Sequence, residues 1–275
     1  TGVQTCALPI FLGIQDLVFE QTVPIRIVLP SLEVPLCFNA KRILSLGYFA
    51  YSYLEIFLEK EKAQLKDLNF SVNGQVVKWH LPIGIIYDSF IKKGDEKSFK
   101  PLTIEAKFKD FPEGKVMRCD SKDIVKYNFK HAFKESCYIT HENTLLVQRN
   151  LNIHENIINS IIQGDHAMYG ELMNIVRNDF DQWKSYPFKF ITKQLRVFCC
   201  FLSVESAHTF NDVLSSIKEK LTKSRIKAGE FDDAITSIEN NKILFHGIHI
   251  PPETPLKEFA VSMIYPDGFL YGLIE

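Results

Sequence analysis

The 275-residue sequence predicts an α+β protein in which two β-grasp domains flank a helix-rich domain. The order strand, strand, helix, strand, strand occurs within about 90 residues near the start of the chain, which is the order of a ubiquitin-like β-grasp. The same order recurs near the end, and the segment between has helical periodicity with few strand signals. The predicted parts are an N-terminal segment with some helical character (1–18), a first ubiquitin-like domain (19–112), a helix-rich domain (113–187) and a second ubiquitin-like domain (188–275).

The first ubiquitin-like domain is predicted from alternating apolar strands and one amphipathic helix. Between Leu46 and Ala63 the apolar residues recur at helical spacing, with charged residues on the opposite side. The alternating run Leu68–Val72 meets Asn73-Gly74, the strongest short signal for a hairpin, and returns as Val76–Trp79. The remaining predicted elements are strands at Val23–Leu29, Val34–Phe38 and Leu102–Phe108 and a short helix at Pro82–Phe90.

Helix signals continue through the middle of the chain and are then followed by a second set of strands. Ser121, with Asp123 in the next turn, predicts a helix to about Cys137. Thr209, with Asp212 three residues later, predicts a capped helix in the second ubiquitin-like domain. The other elements are predicted as helices at Ile153–Gln163 and Ala167–Trp183, strands at Phe188–Ile191, Leu195–Val204, Ile243–Phe245 and Gly268–Ile274, and a helix opened by Thr254 with Pro255 at its first position.

The composition argues against several functional classes. With 32 basic and 33 acidic residues the net charge is -1, so no overall field attracts nucleic acid or an anionic membrane surface. The longest strongly apolar run, Val197–Leu202, is far shorter than the roughly 18 residues of a membrane-crossing helix and is predicted as a buried strand. The six cysteines are scattered without disulfide or metal spacing, which fits a reducing cytosolic compartment.

The sequence contains no convincing catalytic constellation. A thiol enzyme needs a cysteine beside a histidine, and the nominal candidates are Cys119, Cys137, Cys199, His131 and His166. No local signature supports such a pair, and free cysteines commonly pack as small apolar residues. The run His246–His249 is a weak metal motif, since residues three apart on a strand point to opposite faces. We therefore expect no catalytic residue, no cofactor and no metal.

The most informative residue is Lys134, which lies near the end of the predicted helix that Ser121 opens. Val125, Phe129 and Phe133 form one apolar stripe, and at about 100° per residue Lys134 projects roughly 140° from the centre of that stripe. We therefore expect its ammonium to be presented to solvent. The same helix carries lysines at four-residue spacing, which by itself indicates only a solvated face: Lys122, Lys126, Lys130 and Lys134.

A lysine of this kind is more plausible as a substrate than as a catalyst. An exposed amine is protonated at neutral pH and is a poor nucleophile alone. A partner enzyme would have to align it against an activated acyl group and help to remove its proton. The sequence therefore indicates a protein that is acted upon by acyl transfer.

A second notable run surrounds Trp79 and His80, at the end of the second predicted hairpin. Pro82 suits a first helical turn, because its missing N–H is not needed there. The run has two interpretations, a packed turn or a binding surface, and the packed turn is favoured. The residues that would contact a partner in the second interpretation are Trp79, His80, Pro82 and Gly84.

Several ordered motifs closely resemble the autophagy protein 5 family. In the first half they are Lys78–Asp88, Phe108–Pro112, Ser121–Asp123 and Phe133–Glu135. In the second half they are His246–Ile248, Glu253–Leu256 and Tyr265–Leu270. The resemblance covers most of the chain from Phe19 onward, and it implies two ubiquitin-like domains flanking a helix-rich one.

The resemblance also implies a function. Lys134 matches the family's acceptor lysine, which forms an isopeptide bond with the C-terminal glycine of autophagy protein 12. The conjugate binds a helix of autophagy protein 16 in a groove and promotes ligase-like transfer of autophagy protein 8 to phosphatidylethanolamine. The implied location is the cytoplasm, with peripheral attachment at the preautophagosomal membrane, and the active cysteine belongs to a separate conjugating enzyme.

Two alternatives of other classes stay open at this point. One is a thiol-dependent conjugating enzyme of the same pathway, which would depend on one reactive cysteine. The other is a ubiquitin-fold adaptor that binds partners without covalent change. The leading interpretation is a non-catalytic acceptor and scaffold in autophagosome formation.

Overall fold

The computed structural model describes residues 16–30, 32–55, 67–91, 100–177, 182–223 and 232–275. The chain divides into two compact units, one of Gln21–His131 and one of Thr1–Glu20 with Ala132–Glu275. The boundary between the units at residue 131 falls inside a helix, so that helix begins in one unit and ends in the other.

The first unit contains a mixed five-stranded sheet. Its elements are β1 (Thr22–Val28), β2 (Leu36–Lys41), α2 (Leu46–Tyr53), β3 (Asn69–Val72), β4 (Gln75–Val77), α3 (Ile83–Phe90) and β5 (Leu102–Lys107), and α1 (16–20) precedes them in the chain. The strand order is β2-β1-β5-β3-β4, with β1 antiparallel to β2 and parallel to β5. This is the predicted β-grasp order. The predicted hairpin turn is confirmed, since Asn73 and Gly74 both have positive φ, 50° and 78°.

The helical region follows as α4 (Lys122–His141), α5 (Leu145–Arg149), α6 (Ile153–Gln163) and α7 (His166–Arg177). Gly164, with φ 71°, ends α6 in the left-handed conformation that helix C-termini favour and lets α7 follow at once. The segment α1 belongs to the unit that contains Ala132–Glu275. Its Phe19 is fully buried and packs against the ring of Tyr169 at 4.7 Å, and Asp16 pairs with His166 at 2.9 Å.

The second unit ends in a second five-stranded sheet with the same topology. Its elements are β6 (Ser185–Thr192), β7 (Val197–Ser203), α8 (Phe210–Lys223), α9 (Asp232–Glu239), β8 (Ile243–Phe245), β9 (Ile248–His249), α10 (Leu256–Met263) and β10 (Leu270–Ile274). The order β7-β6-β10-β8-β9 repeats that of the first sheet. Its core is aromatic: Phe245 stands edge-on to Phe259 at 4.9 Å and to Phe210 at 5.6 Å.

Both sheets use the same backbone connection at the start of a helix. In the first unit, Leu46 N donates to Leu81 O and Ile83 N donates to Leu44 O, so the N-terminus of α2 pairs with the segment before α3. In the second unit, Phe210 N donates to Thr254 O and Leu256 N donates to His208 O. These bonds satisfy N–H groups that a helix start otherwise leaves without a partner.

Several predicted elements differ from the observed ones. The helix predicted at Ala167–Trp183 is described as far as Arg177; residues 178–181 lie outside the described residues, and Trp183 is buried and not helical. The helix predicted to about Cys137 continues to His141, and α9 was not predicted. His246 and Gly247 form a turn with φ 49° and 79° instead of a strand. The predicted helical stretch Ile56–Ala63 lies outside the described residues.

None of the helices in the described residues combines the length and the apolar content that crossing a membrane requires.

The close packing around β10 generates a stability prediction. A Cβ added at Gly272 would lie 2.7 Å from Phe245 Cζ and 2.8 Å from two ring atoms of Phe190. We expect Gly272→Ala to lower the free energy of unfolding by about 1 to 3 kcal/mol, because the aromatic core must shift. Chemical denaturation measures this change.

Gly170→Ala is the matched control. Gly170 lies in α7 with no atom within 4 Å of an added Cβ, so we expect a gain of about 0.5 to 1 kcal/mol from helix propensity. Equal effects of the two substitutions would contradict the packing described for β10.

Candidate functional site

Lys134 lies in the second half of α4, and the neighbouring residues of that helix are fixed to the second sheet. Phe133 is fully buried, and Ser136 Oγ lies 2.7 Å from Asp267 O and 2.8 Å from Phe133 O. The left-handed Gly268 has φ 79°, and a Cβ there would meet Ser136 Oγ at 2.2 Å. Glycine at this position therefore permits the close approach of helix and loop.

Two further contacts fix the rotation of α4. Thr140 O, at the end of the helix, accepts a hydrogen bond from Lys184 N at 2.5 Å. Glu135 pairs with Lys189 on β6 at 3.7 Å, and the ammonium of Lys189 lies 3.2 Å from the centre of the Phe269 ring. This Lys189 side chain is only 14% exposed, so its cation–π contact and its ion pair are partly shielded from water.

The side chains of Asp267 and Tyr271 form a hydrogen-bonded pair next to the backbone carbonyl that Ser136 contacts. Tyr271 Oη donates to Asp267 Oδ2 at 2.6 Å, and Phe269 N donates to Asp267 Oδ1 at 3.2 Å. Burial raises the pKa of Asp267, and the Lys189 ammonium and these hydrogen bonds partly offset this effect. Burial also raises the pKa of Tyr271 well above its ordinary value, so its hydroxyl is a donor at physiological pH.

Lys134 itself is half-buried, whereas the sequence led us to expect a solvent-exposed side chain. The predicted apolar stripe ended at Phe133, but Ser136, Cys137 and Thr140 are buried as well. These residues widen the buried face, so that Lys134 projects at roughly 125° from its centre but only about 60° from its edge at Cys137.

Among the described residues, no carboxylate holds the Lys134 amine. Within the described residues Lys134 makes no ion pair or side-chain hydrogen bond, and its neighbour Glu135 is engaged by Lys189. The lysine one turn earlier, Lys130, is also half-buried, and His131 is exposed. A half-buried amine on an immobilised helix can be presented to an external acyl donor without first breaking an internal ion pair.

The Trp79–Gly84 run is a packing element of the first unit. Trp79 is 2% exposed and its Nε1 donates to Met117 O at 2.8 Å. Pro82 and Gly84 are buried, and a Cβ at Gly84 would lie 3.0 Å from Arg42 Cβ. Of the four residues predicted as partner contacts, His80 alone is half-exposed. The geometry therefore favours the packed-turn interpretation.

The candidate thiols lack the environment of a nucleophile. Cys119 is 1% exposed and Cys137 is 4% exposed, and burial raises the pKa of each to about 12. Cys199 is exposed, yet partial desolvation raises its pKa too. A catalytic cysteine needs a lowered pKa, so none of these three thiols fits the thiol-enzyme alternative.

The histidine motif is also structural. His246 is buried in the turn after β8, and its ring stacks on Tyr265 with the ring centres 4.1 Å apart. Across the described residues, no group of three or more His, Cys, Asp or Glu side chains is arranged to hold a metal ion.

Two family models match the chain, and each falls on one of the two sheets. Residues 18–108 match the model described as "Autophagy protein ATG5, UblA domain", and residues 185–274 match "Autophagy protein ATG5, UblB domain". Together they cover more than half of the chain. The chain belongs to the autophagy protein 5 family. Membership of this family means a role in autophagy, as the resemblance implied.

Individual relatives agree with this assignment. Autophagy protein 5 of Aspergillus oryzae is 22% identical over 318 aligned positions that cover 96% of this chain and 97% of that relative. The Drosophila melanogaster protein is 22% identical, with 75% and 72% covered, whereas the match to the Arabidopsis thaliana protein is 25% identical and spans 47% of this chain and 42% of that relative. The crystal structure of Kluyveromyces marxianus Atg5 superposes with a TM-score of 0.74 at 19% identity, covering 96% of this chain and 100% of that one, which confirms the predicted fold.

Sequence reasoning identified Lys134 but missed the residues that fix its helix. Ser136, Lys189 and the Asp267-Gly268 turn carry that role. The turn was visible in the Tyr265–Leu270 motif of the family. Its contact with Ser136 was not, because the two partners are 131 positions apart in the chain.

The burial of Trp79 generates a second prediction. We expect Trp79→Ala to lower the free energy of unfolding by about 3 to 5 kcal/mol, because it removes a large enclosed ring and the hydrogen bond to Met117. Trp79→Phe keeps an apolar ring and should cost less. Thermal or chemical unfolding measures both, and an unchanged midpoint for Trp79→Ala would mean that Trp79 is instead a contact residue.

The raised thiol pKa values generate a third prediction. A thiol with a pKa near 12 is almost entirely protonated at about pH 8, so we expect iodoacetamide to label native Cys119 and Cys137 very slowly. Peptide mapping by mass spectrometry should find the label on exposed Cys37 and Cys199 first.

The same protein unfolded in guanidinium chloride is the control, in which every cysteine should react. Rapid labelling of native Cys119 or Cys137 would revive the thiol-enzyme alternative.

Proposed function

We propose that this protein is the acceptor of the ubiquitin-like autophagy protein 12 and a non-catalytic scaffold of autophagosome formation. The amine of Lys134 receives the C-terminal glycine of the modifier in an isopeptide bond. The observation that carries the proposal is the placement of Lys134 on a helix that Glu135 and Ser136 fix to the second unit, and the resemblance of the Phe133–Glu135 motif to the family's acceptor site supports it.

The step is an acyl transfer from a thioester. A separate conjugating enzyme holds the modifier's C-terminal glycine on its cysteine. The neutral Lys134 Nζ attacks the thioester carbonyl, the C–N bond forms and the C–S bond breaks, and the proton that the nitrogen loses passes to the thiolate released on the conjugating enzyme. Attack needs the unprotonated amine, so a base of the partner enzyme takes up the ammonium proton before the attack.

The chain contributes position to this reaction. Ser136 and Glu135 hold α4 against the loop before β10 and against β6, so the Lys134 backbone needs no ordering when the enzyme binds. Glu135 is held by Lys189, and among the described residues no carboxylate pairs with the Lys134 amine and competes with the acyl donor. The raised pKa values of the buried thiols support assignment of the active cysteine to another protein.

Family membership supports a wider role in the pathway as part of the same proposal. The conjugate binds a helix of autophagy protein 16, and the assembly promotes ligase-like transfer of autophagy protein 8 to phosphatidylethanolamine. The protein is cytoplasmic and attaches peripherally to the preautophagosomal membrane. We retain the three predicted domains (19–112, 113–187 and 188–275), with residues 19–20 reassigned with α1 to the helix-rich part and the last boundary moved to Ser185, where β6 begins. Of the Trp79–Gly84 run, we retain His80 as a partner contact, since its side chain is only half-buried.

One observation favours the adaptor alternative. Lys134 is half-buried, which restricts the directions from which an acyl donor can approach its amine. An adaptor would hold the modifier through noncovalent contacts alone and would need no access to this nitrogen.

Reconstitution with the activating and conjugating enzymes of the pathway and autophagy protein 12 tests the proposal. We expect a mass increase that resists thiol reductant in the natural protein and its loss in Lys134→Arg, because the arginine guanidinium does not form the bond. Lys130→Arg is the matched control, since Lys130 lies one turn earlier on α4 and is half-buried as well. It should be conjugated normally.

Mass spectrometry of the product should show a branched peptide at Lys134. Continued conjugation of Lys134→Arg would refute the assignment of this residue. A shift that reductant removes would indicate a cysteine thioester, and binding without any shift would support the adaptor.

A further inference from the structure

The strand β7 is an open edge of the second sheet. In the order β7-β6-β10-β8-β9 no described strand pairs with its outer side. At its two ends Thr192 N donates to Arg196 O and Val204 N donates to Lys184 O, so the even-numbered residues of β7 bond to β6. Since an antiparallel ladder alternates with period two, the backbone N–H and C=O groups of Val197, Cys199 and Phe201 point outward.

This outward backbone is accessible to a ligand. Cys199 is exposed and Phe201 is 42% exposed. Ser203 O is already used, because it accepts hydrogen bonds from Ser206 N and Ala207 N in the following turn. The free part of the edge therefore ends near Phe201. An exposed strand edge of this kind is a template for an added strand.

Two hollows line the groove between β7 and α8. One, of about 160 Å³, is mainly apolar and is lined by Phe190, Phe198, Cys199, Cys200, Ile217, Lys220 and Leu221. The other, of about 370 Å³, is polar and lies further along β7, between Phe201–Ser203 and the start of α8. Each hollow includes one of the outward-facing backbone positions, Cys199 or Phe201. An extended peptide on the β7 edge would therefore pass over both.

The charged side chains around the groove indicate which kind of peptide would fit. In the polar hollow Asp212 accepts hydrogen bonds from His208 N and Thr209 N, and Glu219 pairs with Lys223, so both carboxylates are engaged. At the apolar hollow Lys220 is exposed and makes no ion pair within the described residues. The groove thus combines an apolar hollow with the ammonium of Lys220, which complements an aliphatic side chain beside a carboxylate.

We propose that the groove between β7 and α8 binds an extended peptide of a partner protein, which adds a strand to β7 with an aliphatic residue in the apolar hollow and an acidic residue at Lys220. Main-chain hydrogen bonds to Val197, Cys199 and Phe201 supply the alignment. The hollow and Lys220 supply the selectivity. The proposed binding does not depend on conjugation at Lys134.

Fluorescence anisotropy with a defined probe tests the proposal on the full chain. The probe is a fluorescein-labelled peptide of about nine residues, long enough for a strand, in which valine and threonine alternate around a central leucine flanked by aspartates. We expect saturable binding with a Kd of about 10 to 500 μM, as for a small interface. Absence of binding up to about 1 mM would overturn the proposal.

Two N-methylated forms of the probe distinguish strand addition from nonspecific adhesion. In each form alternate backbone nitrogens carry a methyl group, and the two forms differ only in which edge of the peptide is blocked. Strand addition uses one edge, so we expect their affinities to differ on the order of tenfold or more. Equal affinities would overturn the proposal.

Charge reversal on the protein tests the acidic contact. Lys220→Glu should weaken binding about three- to tenfold, because the carboxylates of the probe lose a cation and meet a like charge. Lys242→Glu is the matched control, since Lys242 is an exposed residue beside β8, three strands away in the sheet, and should leave the affinity unchanged. Both variants are surface changes whose thermal midpoints should match the natural protein. Equal weakening by the two variants would show a net-charge effect and overturn the proposal.

Discussion

The hydrogen bond of Ser136 to Asp267 O is the contact on which the placement of Lys134 depends. It brings α4 so close to the Tyr265–Leu270 loop that only glycine fits at position 268. The rotation of α4 about its axis is then fixed. Phe133, before Lys134, is fully buried, and Glu135, after it, pairs with Lys189. Lys134 is carried to the border of the buried face as a consequence. The residue that is proposed to be modified is therefore positioned by contacts that it does not itself make.

In both units the same main-chain bridge connects the start of one helix to the segment before another helix. Ser45 and Pro82 form a bridge in the first unit, and Thr209 and Pro255 form the equivalent bridge in the second. Because the bonds run between main-chain groups, they require no particular side chain. This explains how one topology occurs twice in a chain whose halves share no convincing residue identity. It also explains the Trp79–Gly84 run, whose backbone forms this connection while its tryptophan fills the core.

Short-range signals in the sequence predicted the local structure well. Asn73-Gly74 forms the predicted turn, and Asp212 caps the start of α8 by accepting hydrogen bonds from Thr209 N and His208 N. The extent of α4 was not predictable in the same way. Its last turns carry polar residues on the buried side. The Ser136 hydroxyl is satisfied by Asp267 O in the loop before β10, and the Thr140 hydroxyl is satisfied by Ser136 O within the helix. A periodicity argument assigns such residues to the solvent face.

The sequence by itself determined the α+β class, the repeated β-grasp order, the family and the choice of Lys134, since each rests on neighbouring residues or on ordered motifs. Only the tertiary structure decided how deeply Lys134 is buried, that Trp79 is enclosed, and that β7 is left as a free edge. Burial and strand neighbours depend on segments far apart in the chain, such as Ser136 and Asp267. No local pattern contains that information, because the hydrogen bonds and packing that create it form only when the distant segments meet.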